Sequence, residues 1–241
     1  MKIVLTNDDG FGAPGLKALA GCFDAGVELW VVAPSDALSG VGHRVTTREP
    51  IRTWSDGNRQ TRVEGTPADC VRIALKCICP DADWVIAGIN PGANLGSDVY
   101  QSGTVAAARE AAILGRRSIA ISQYISRNGE LDWASTGHHA RNVLRHLLSQ
   151  PLDLGLFWNV NLPHPLGKQD QPDFVNCPLD RLPHNYKFRN EGTEYVYEGI
   201  IHERPRETGR DVDVCFGGDV AITRCGVEVV GRIPEQSSER S

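Results

Sequence analysis

The sequence predicts an α/β protein: a doubly wound, mostly parallel sheet with a β-containing C-terminal arm. Two observations predict it. Short apolar runs suited to buried strands alternate with helix-patterned stretches through about the first two-thirds of the chain, the rhythm of parallel strands joined by helical crossovers. Three of those runs stop at polar, glycine-punctuated turns, residues 6–10, 34–43 and 89–98. In a parallel sheet such turns share the carboxyl edge, where ligands bind.

The elements follow in order. Ile3, Val4 and Leu5 form the first strand, cut off by Thr6-Asn7-Asp8-Asp9-Gly10. Pro14 opens a helix with Leu16, Leu19, Ala20 and Phe23 on one face, and Gly26 reads as its stop. Val27–Ala33 is the second strand. Residues 44–64 mix Thr, Val, Ile and Trp with turn residues and read as β structure outside the main sheet. Thr66-Pro67-Ala68-Asp69 starts a helix with a capping hydroxyl, proline at the first position and an acid in the first turn. Cys70, Ile73, Ala74 and Cys77 supply its apolar stripe. Asp83–Gly88 is the third strand. Ser102-Gly103-Thr104 precedes an alanine-rich helix closed by Gly115, followed by a strand at Ser118–Ser122. A helix over 133–149 buries Ala140, Val143, Leu144 and Leu147, and Leu156–Leu162 is the last strand of the series.

Beyond Pro163, closely spaced prolines end the alternation. Glu194–Ile201 and Asp219–Thr223 read as strands separated by the charged stretch 202–213. They suggest an arm that packs on a partner subunit, because a lone two-stranded ribbon is marginal in water. Residues 234–241 read as a disordered tail. The expected organisation is a core at 1–165, an irregular arm-bearing part at 166–233, and that tail.

Composition narrows the function. At 241 residues and 41% apolar content, the chain can bury a sizeable core. A formal net charge of −5 argues against a nucleic-acid backbone binder, which carries a basic surface. No apolar run suits a membrane span, and the opening residues lack a signal peptide's design. Seven cysteines, an odd number without a small-domain framework, indicate reduced thiols and a cytoplasmic location; Cys22, Cys70 and Cys77 fall on apolar helix positions.

The chemistry gathers at the three turns. Asp8 and Asp9 offer carboxylates whose mutual repulsion a hard cation relieves. Ser35 or Ser39 offers a hydroxyl, and Asn90 or Asn94 a carboxamide oxygen. An all-oxygen set suits Mg²⁺, Mn²⁺ or Ca²⁺ and suits zinc poorly. Ser102, Gly103 and Thr104, at a helix start, present N–H groups and hydroxyls to an anion. A divalent metal beside such a cradle is a workable phosphate-ester site. Gly10, Gly12 and Gly15 match the G-x-G-x-x-G spacing of dinucleotide binders, but the two acids just before them would repel a pyrophosphate.

Four ordered motifs, Ile3 to Gly15, Val31 to Gly40, Gly65 to Val71 and Gly88 to Glu110, resemble those of the SurE family of metal-dependent phosphatases. Asn159 to Pro163 and Gly218 to Thr223 match its C-terminal half more loosely. The resemblance implies a Rossmann-like three-layer α/β/α core and dimers or tetramers built through C-terminal segments. It implies hydrolysis of nucleoside 5′- and 3′-monophosphates, with polyphosphate trimming in some members. It assigns one Mg²⁺ or Mn²⁺ to Asp8, Asp9, Ser39 and Asn90, and phosphate to Asn94, Ser102, Gly103 and Thr104, with Asn7 behind them. Asp8 or Asp9 is the nearest candidate for the general base, and a phospho-aspartate route is the rival to direct water attack. His43, four residues past Ser39, is a minor candidate at the leaving group. The alternative function is a catalytically silent nucleotide- or phosphate-binding regulator on the same fold.

Overall fold

The computed structural model describes residues 1–164 and 172–227. The expected tail at 234–241 lies outside the described residues. The elements are β1 (Lys2–Thr6), α1 (Pro14–Ala20), β2 (Glu28–Pro34), β3 (Thr53–Ser55), β4 (Gln60–Val63), α2 (Pro67–Ile73), β5 (Trp84–Pro91) and α3 (Gly103–Ile113). There follow β6 (Arg117–Gln123), α4 (Trp133–Leu148), β7 (Leu156–Leu162), β8 (Phe174–Asn176), β9 (Phe188–Glu191), β10 (Glu194–Tyr197), α5 (Asp211–Gly217) and β11 (Val220–Gly226).

Burial on both faces explains the unbroken apolar strands. In β1, Ile3 and Leu5 pack with Leu16 and Leu19 of α1 and with Val143, Leu144 and Leu147 of α4. Val4 points the other way, among Cys70 and Val71 of α2 and Ala107 and Ala111 of α3. The period-2 alternation thus feeds two helical layers, giving a three-layer α/β/α sandwich. All four residues expected on the buried face of α4 are buried.

Nine strands run in the order β3-β4-β2-β1-β5-β6-β7-β11-β8. The run from β4 to β7 is parallel, while β11 is antiparallel to β7. From β1 the chain winds outward to β2 and then returns to β5 on the other side of β1. That reversal makes the carboxyl ends of β1 and β5 a switch-point crevice.

Several expectations are corrected. Residues 44–64 do not lie outside the main sheet: β4 pairs in parallel with β2, and β3 pairs with β4 at the sheet edge. The first helix stops at Ala20 and is capped at Gly21, well before the stop expected at Gly26. Residues Ala74–Ile78 form a π-helical turn, Cys79 N–H donating to the carbonyl of Ala74 at 2.7 Å. The wider turn rotates the stripe, so Cys77 is exposed and Cys79 is buried instead. The stretch 202–213 contains the start of α5, whose Val212 and Cys215 pack under Tyr124 and Leu95. β8 and β11 join the central sheet, while β9 and β10 form a separate two-stranded hairpin.

Candidate active site

The switch-point crevice brings distant residues together. Asp8 and Asp9 follow β1, Ser39 follows β2, Asn90 lies at the end of β5, and Asn94 and Ser102 lie between β5 and α3. All six line one cleft of about 690 Å³. Ser35 does not: its hydroxyl donates to Asp36 at 2.9 Å, beside a separate hollow.

Asn90 reaches the site through an irregularity in β5. Ala87 pairs with Ala120 but Asn90 with Ser122, three steps along β5 against two along β6. The bulge re-aims the strand end. It centres on Gly88, at φ +142°, where an added Cβ would stand 2.3 Å from the carbonyl oxygen of Ile121. No larger residue fits there.

Asp8 is buried and hydrogen-bonded. The Thr104 hydroxyl donates to Asp8 Oδ1, and the Asp8 carbonyl accepts from Leu38 N–H at 2.7 Å. Burial nevertheless pushes the Asp8 carboxyl above its ordinary range, against the Thr104 hydroxyl and the N–H groups of Gly103 and Thr104. Gly103 permits this approach, since a Cβ there would lie 2.9 Å from Asp8 Cβ. Gly103 and Thr104 therefore sit behind Asp8, committing the α3 N-terminus to its carboxylate, and do not line the cleft. Ser102 caps α3, its hydroxyl oxygen accepting from Val105 N–H at 3.0 Å.

Asp9 is different. Burial first, and the neighbouring charge of Asp8 second, push its carboxyl up to about 6. Among the described residues, its Oδ2 is buried without a hydrogen-bond partner, as is Asn7 Oδ1. Buried oxygens of this kind are costly unless a proton donor or cation meets them. Asn90 Nδ2 donates to the Gly92 carbonyl at 2.7 Å, which leaves its Oδ1 for another partner, with the Thr104 hydroxyl 3.5 Å away. Two carboxylates completed by neutral oxygens fit a hard divalent cation.

Asn94 is fixed by β6 and β7. Its Nδ2 donates to Ser122 Oγ at 2.8 Å, and its N–H to Asn161 Oδ1 at 2.7 Å. Asn159 and Asn161 donate back to its carbonyl at 2.9 and 3.0 Å. Sequence reading missed this clamp. Its signal was two asparagines two apart in an otherwise apolar strand, which puts both on one face. Also missed were Asp98, His184 and Arg204 on the far wall, where Asp98 bonds to both His184 and Arg204. His43 lies outside the cleft, its Nε2 2.7 Å from Glu110 Oε2.

Fold and site together define an α/β/α protein with an acidic, oxygen-lined pocket at the carboxyl edge of its sheet. The chain belongs to the SurE family: the model of the survival protein SurE matches residues 3–183. It is 46% identical to a Synechocystis sp. protein named as a candidate 5′-nucleotidase, over 94% of this chain and 100% of that one. It is 33% identical to the 5′-nucleotidase SurE of Rhodospirillum rubrum, over 95% of this chain and 91% of that one. The crystal structure of the SurE protein from Aquifex aeolicus superposes with a TM-score of 0.84 at 28% identity, covering 95% of each chain.

Proposed function

We propose that this chain is a 5′-nucleotidase, a metal-dependent phosphomonoesterase that converts nucleoside 5′- and 3′-monophosphates to nucleoside and phosphate and also trims polyphosphate. The observation that carries this reading is the buried carboxylate oxygen of Asp9, unpartnered among the described residues, beside Asp8 and in the same cleft as Asn94 and Ser102. Asp8, Asp9, Ser39 and Asn90 hold the cation, Mg²⁺ or Mn²⁺. Bound there, it supplies Lewis acidity at a phosphoryl oxygen and acidifies a water.

The chain's own groups do the rest. Thr104 and the α3 N-terminus lock Asp8, so this carboxylate presents a fixed geometry and needs no reorganisation as charge develops. Asn94 and Ser102 orient the phosphate, with Gly103 and Thr104 acting through Asp8. Asp8 or Asp9 is the nearest carboxylate to accept the proton of the attacking water. The P–O bond to the nucleoside breaks as the new P–O bond to water forms, and the departing nucleoside oxygen takes a proton from solvent. The arm assembles the chain into a homodimer or homotetramer.

A phosphate-release panel over nucleoside 5′- and 3′-monophosphates and polyphosphate, with and without chelator, tests the reading. Release that stops with chelator and in Asp9→Ala is expected. Nucleotide binding without release would favour the regulatory alternative.

A further inference from the structure

The cleft is far larger than a phosphate requires, and its far wall is aromatic. Phe188 and Tyr197 face one another across the β9–β10 register, ring centroids 5.4 Å apart. Tyr186 continues the wall 6.2 Å from Tyr197, and His184 stacks on Tyr186 at 5.1 Å. All four line the same cleft as Asp8 and Asp9. Yet Tyr186, Phe188 and Tyr197 remain 51%, 60% and 53% exposed. Rings left half in water on a cleft wall keep apolar surface open to a ligand.

The wall is also anchored. Gln101 Nε2 donates to the Tyr186 hydroxyl at 3.3 Å, tying it to the segment that leads into α3. Asp98 holds His184 on one oxygen and buried Arg204 on the other. The hairpin is thus pinned to the elements that build the acidic end of the site.

We propose that Tyr186, Phe188 and Tyr197 form the stacking wall for the nucleobase of the substrate. This rests on the nucleotidase reading and adds to it the part of the chain that recognises the group beyond the phosphate. Aromatic side chains bind bases through their faces with little regard to sequence, since every base has one. The wall therefore selects nucleotides over base-free phosphate esters, and the acidic end does not.

The test compares kcat/KM for adenosine 5′-monophosphate and for ribose 5-phosphate in wild-type protein, Tyr186→Ala and Tyr197→Ala. The ratio of the two is expected to fall about tenfold or more in each alanine variant, and to be retained in Tyr197→Phe, which keeps the ring. Equal losses on both substrates, or an unchanged ratio, would overturn the wall. Calorimetric titration with adenosine needs no turnover and separates the two readings. Adenosine binding that weakens in Tyr186→Ala, in a wild type that releases no phosphate, supports the wall and sinks the nucleotidase. Phosphate release from a wild type that binds no adenosine does the reverse.

Discussion

Thr104 shows how one hydroxyl can set the state of the site. Its Oγ1 donates to Asp8, and Asn90 Oδ1 lies 3.5 Å from the same atom. Removing it leaves Asp8 buried with one donor fewer, held only by the N–H groups at the start of α3. Thr104→Val keeps the shape and deletes the donor. It is expected to weaken Mn²⁺ binding by about 10- to 100-fold, the usual effect of losing a partner behind a metal ligand. Titration of the metal reads this directly, and unchanged affinity would show that Thr104 serves the helix start alone. A second residue of this kind is Glu110, buried at 2% exposure. Burial opposes its ionisation, but hydrogen bonds from His43 and Arg72 outweigh it and hold its carboxyl below the ordinary value of 4.5. A depressed folded pKa contributes stability that is present above the unfolded value and lost as pH falls through the folded one. Acid unfolding followed by circular dichroism should therefore show a limb below pH 4.5 that Glu110→Gln lacks.

At the scale of elements, the interior of α4 was the most legible feature. Apolar residues recurring every 3.6 positions along a 16-residue helix mark one buried face and fit neither a strand nor a loop. Leu144 is 1% exposed within the cluster that joins α1, α4 and the sheet. Leu144→Ala is expected to cost about 2–5 kcal/mol, read as a lowered urea midpoint with an unchanged slope. The start of α2 was equally plain: Thr66 accepts from Asp69 N–H at 3.2 Å while Asp69 accepts from Thr66 N–H at 3.0 Å. What the pattern hid was tertiary. Asp69 also accepts from the Thr46 N–H and hydroxyl, both at 2.8 Å, and so anchors a loop that no local signal links to it. The π-turn after Ile73 moved Cys77 to the surface, which a periodicity assuming 3.6 residues per turn does not anticipate. Ends and edges were illegible for the same reason: β4 has only four residues, and its place beside β2 is set by pairing across the sheet. In the site, the strand-end acids and asparagines were legible as types, whereas the division of labour between Asp8 and Asp9 depends on which of them α3 faces.

For the molecule as a whole, the site sits on the seam that holds the sheet together, and binding there couples to global stability. β1 and β5 are adjacent central strands, and at the ends of these strands Asp9 and Asn7 keep buried oxygens without partners among the described residues. Folding must desolvate those oxygens, and under the proposed function a cation at Asp8, Asp9, Ser39 and Asn90 would offset that cost at Asp9. The unfolded chain holds no such site, so binding stabilises the native state alone. At a cation concentration 100 times the dissociation constant, the gain is about 2.7 kcal/mol. For a chain of this size that corresponds to a rise in melting temperature of roughly 5–10 °C. Scanning calorimetry with Mn²⁺ should show the rise, and excess chelator should reverse it. In Asp9→Ala the unpartnered oxygen is gone along with the ligand, so the apo form should melt no lower than wild type and Mn²⁺ should leave it unmoved. An Asp9→Ala protein that still gained stability from Mn²⁺ would place the cation elsewhere in the cleft.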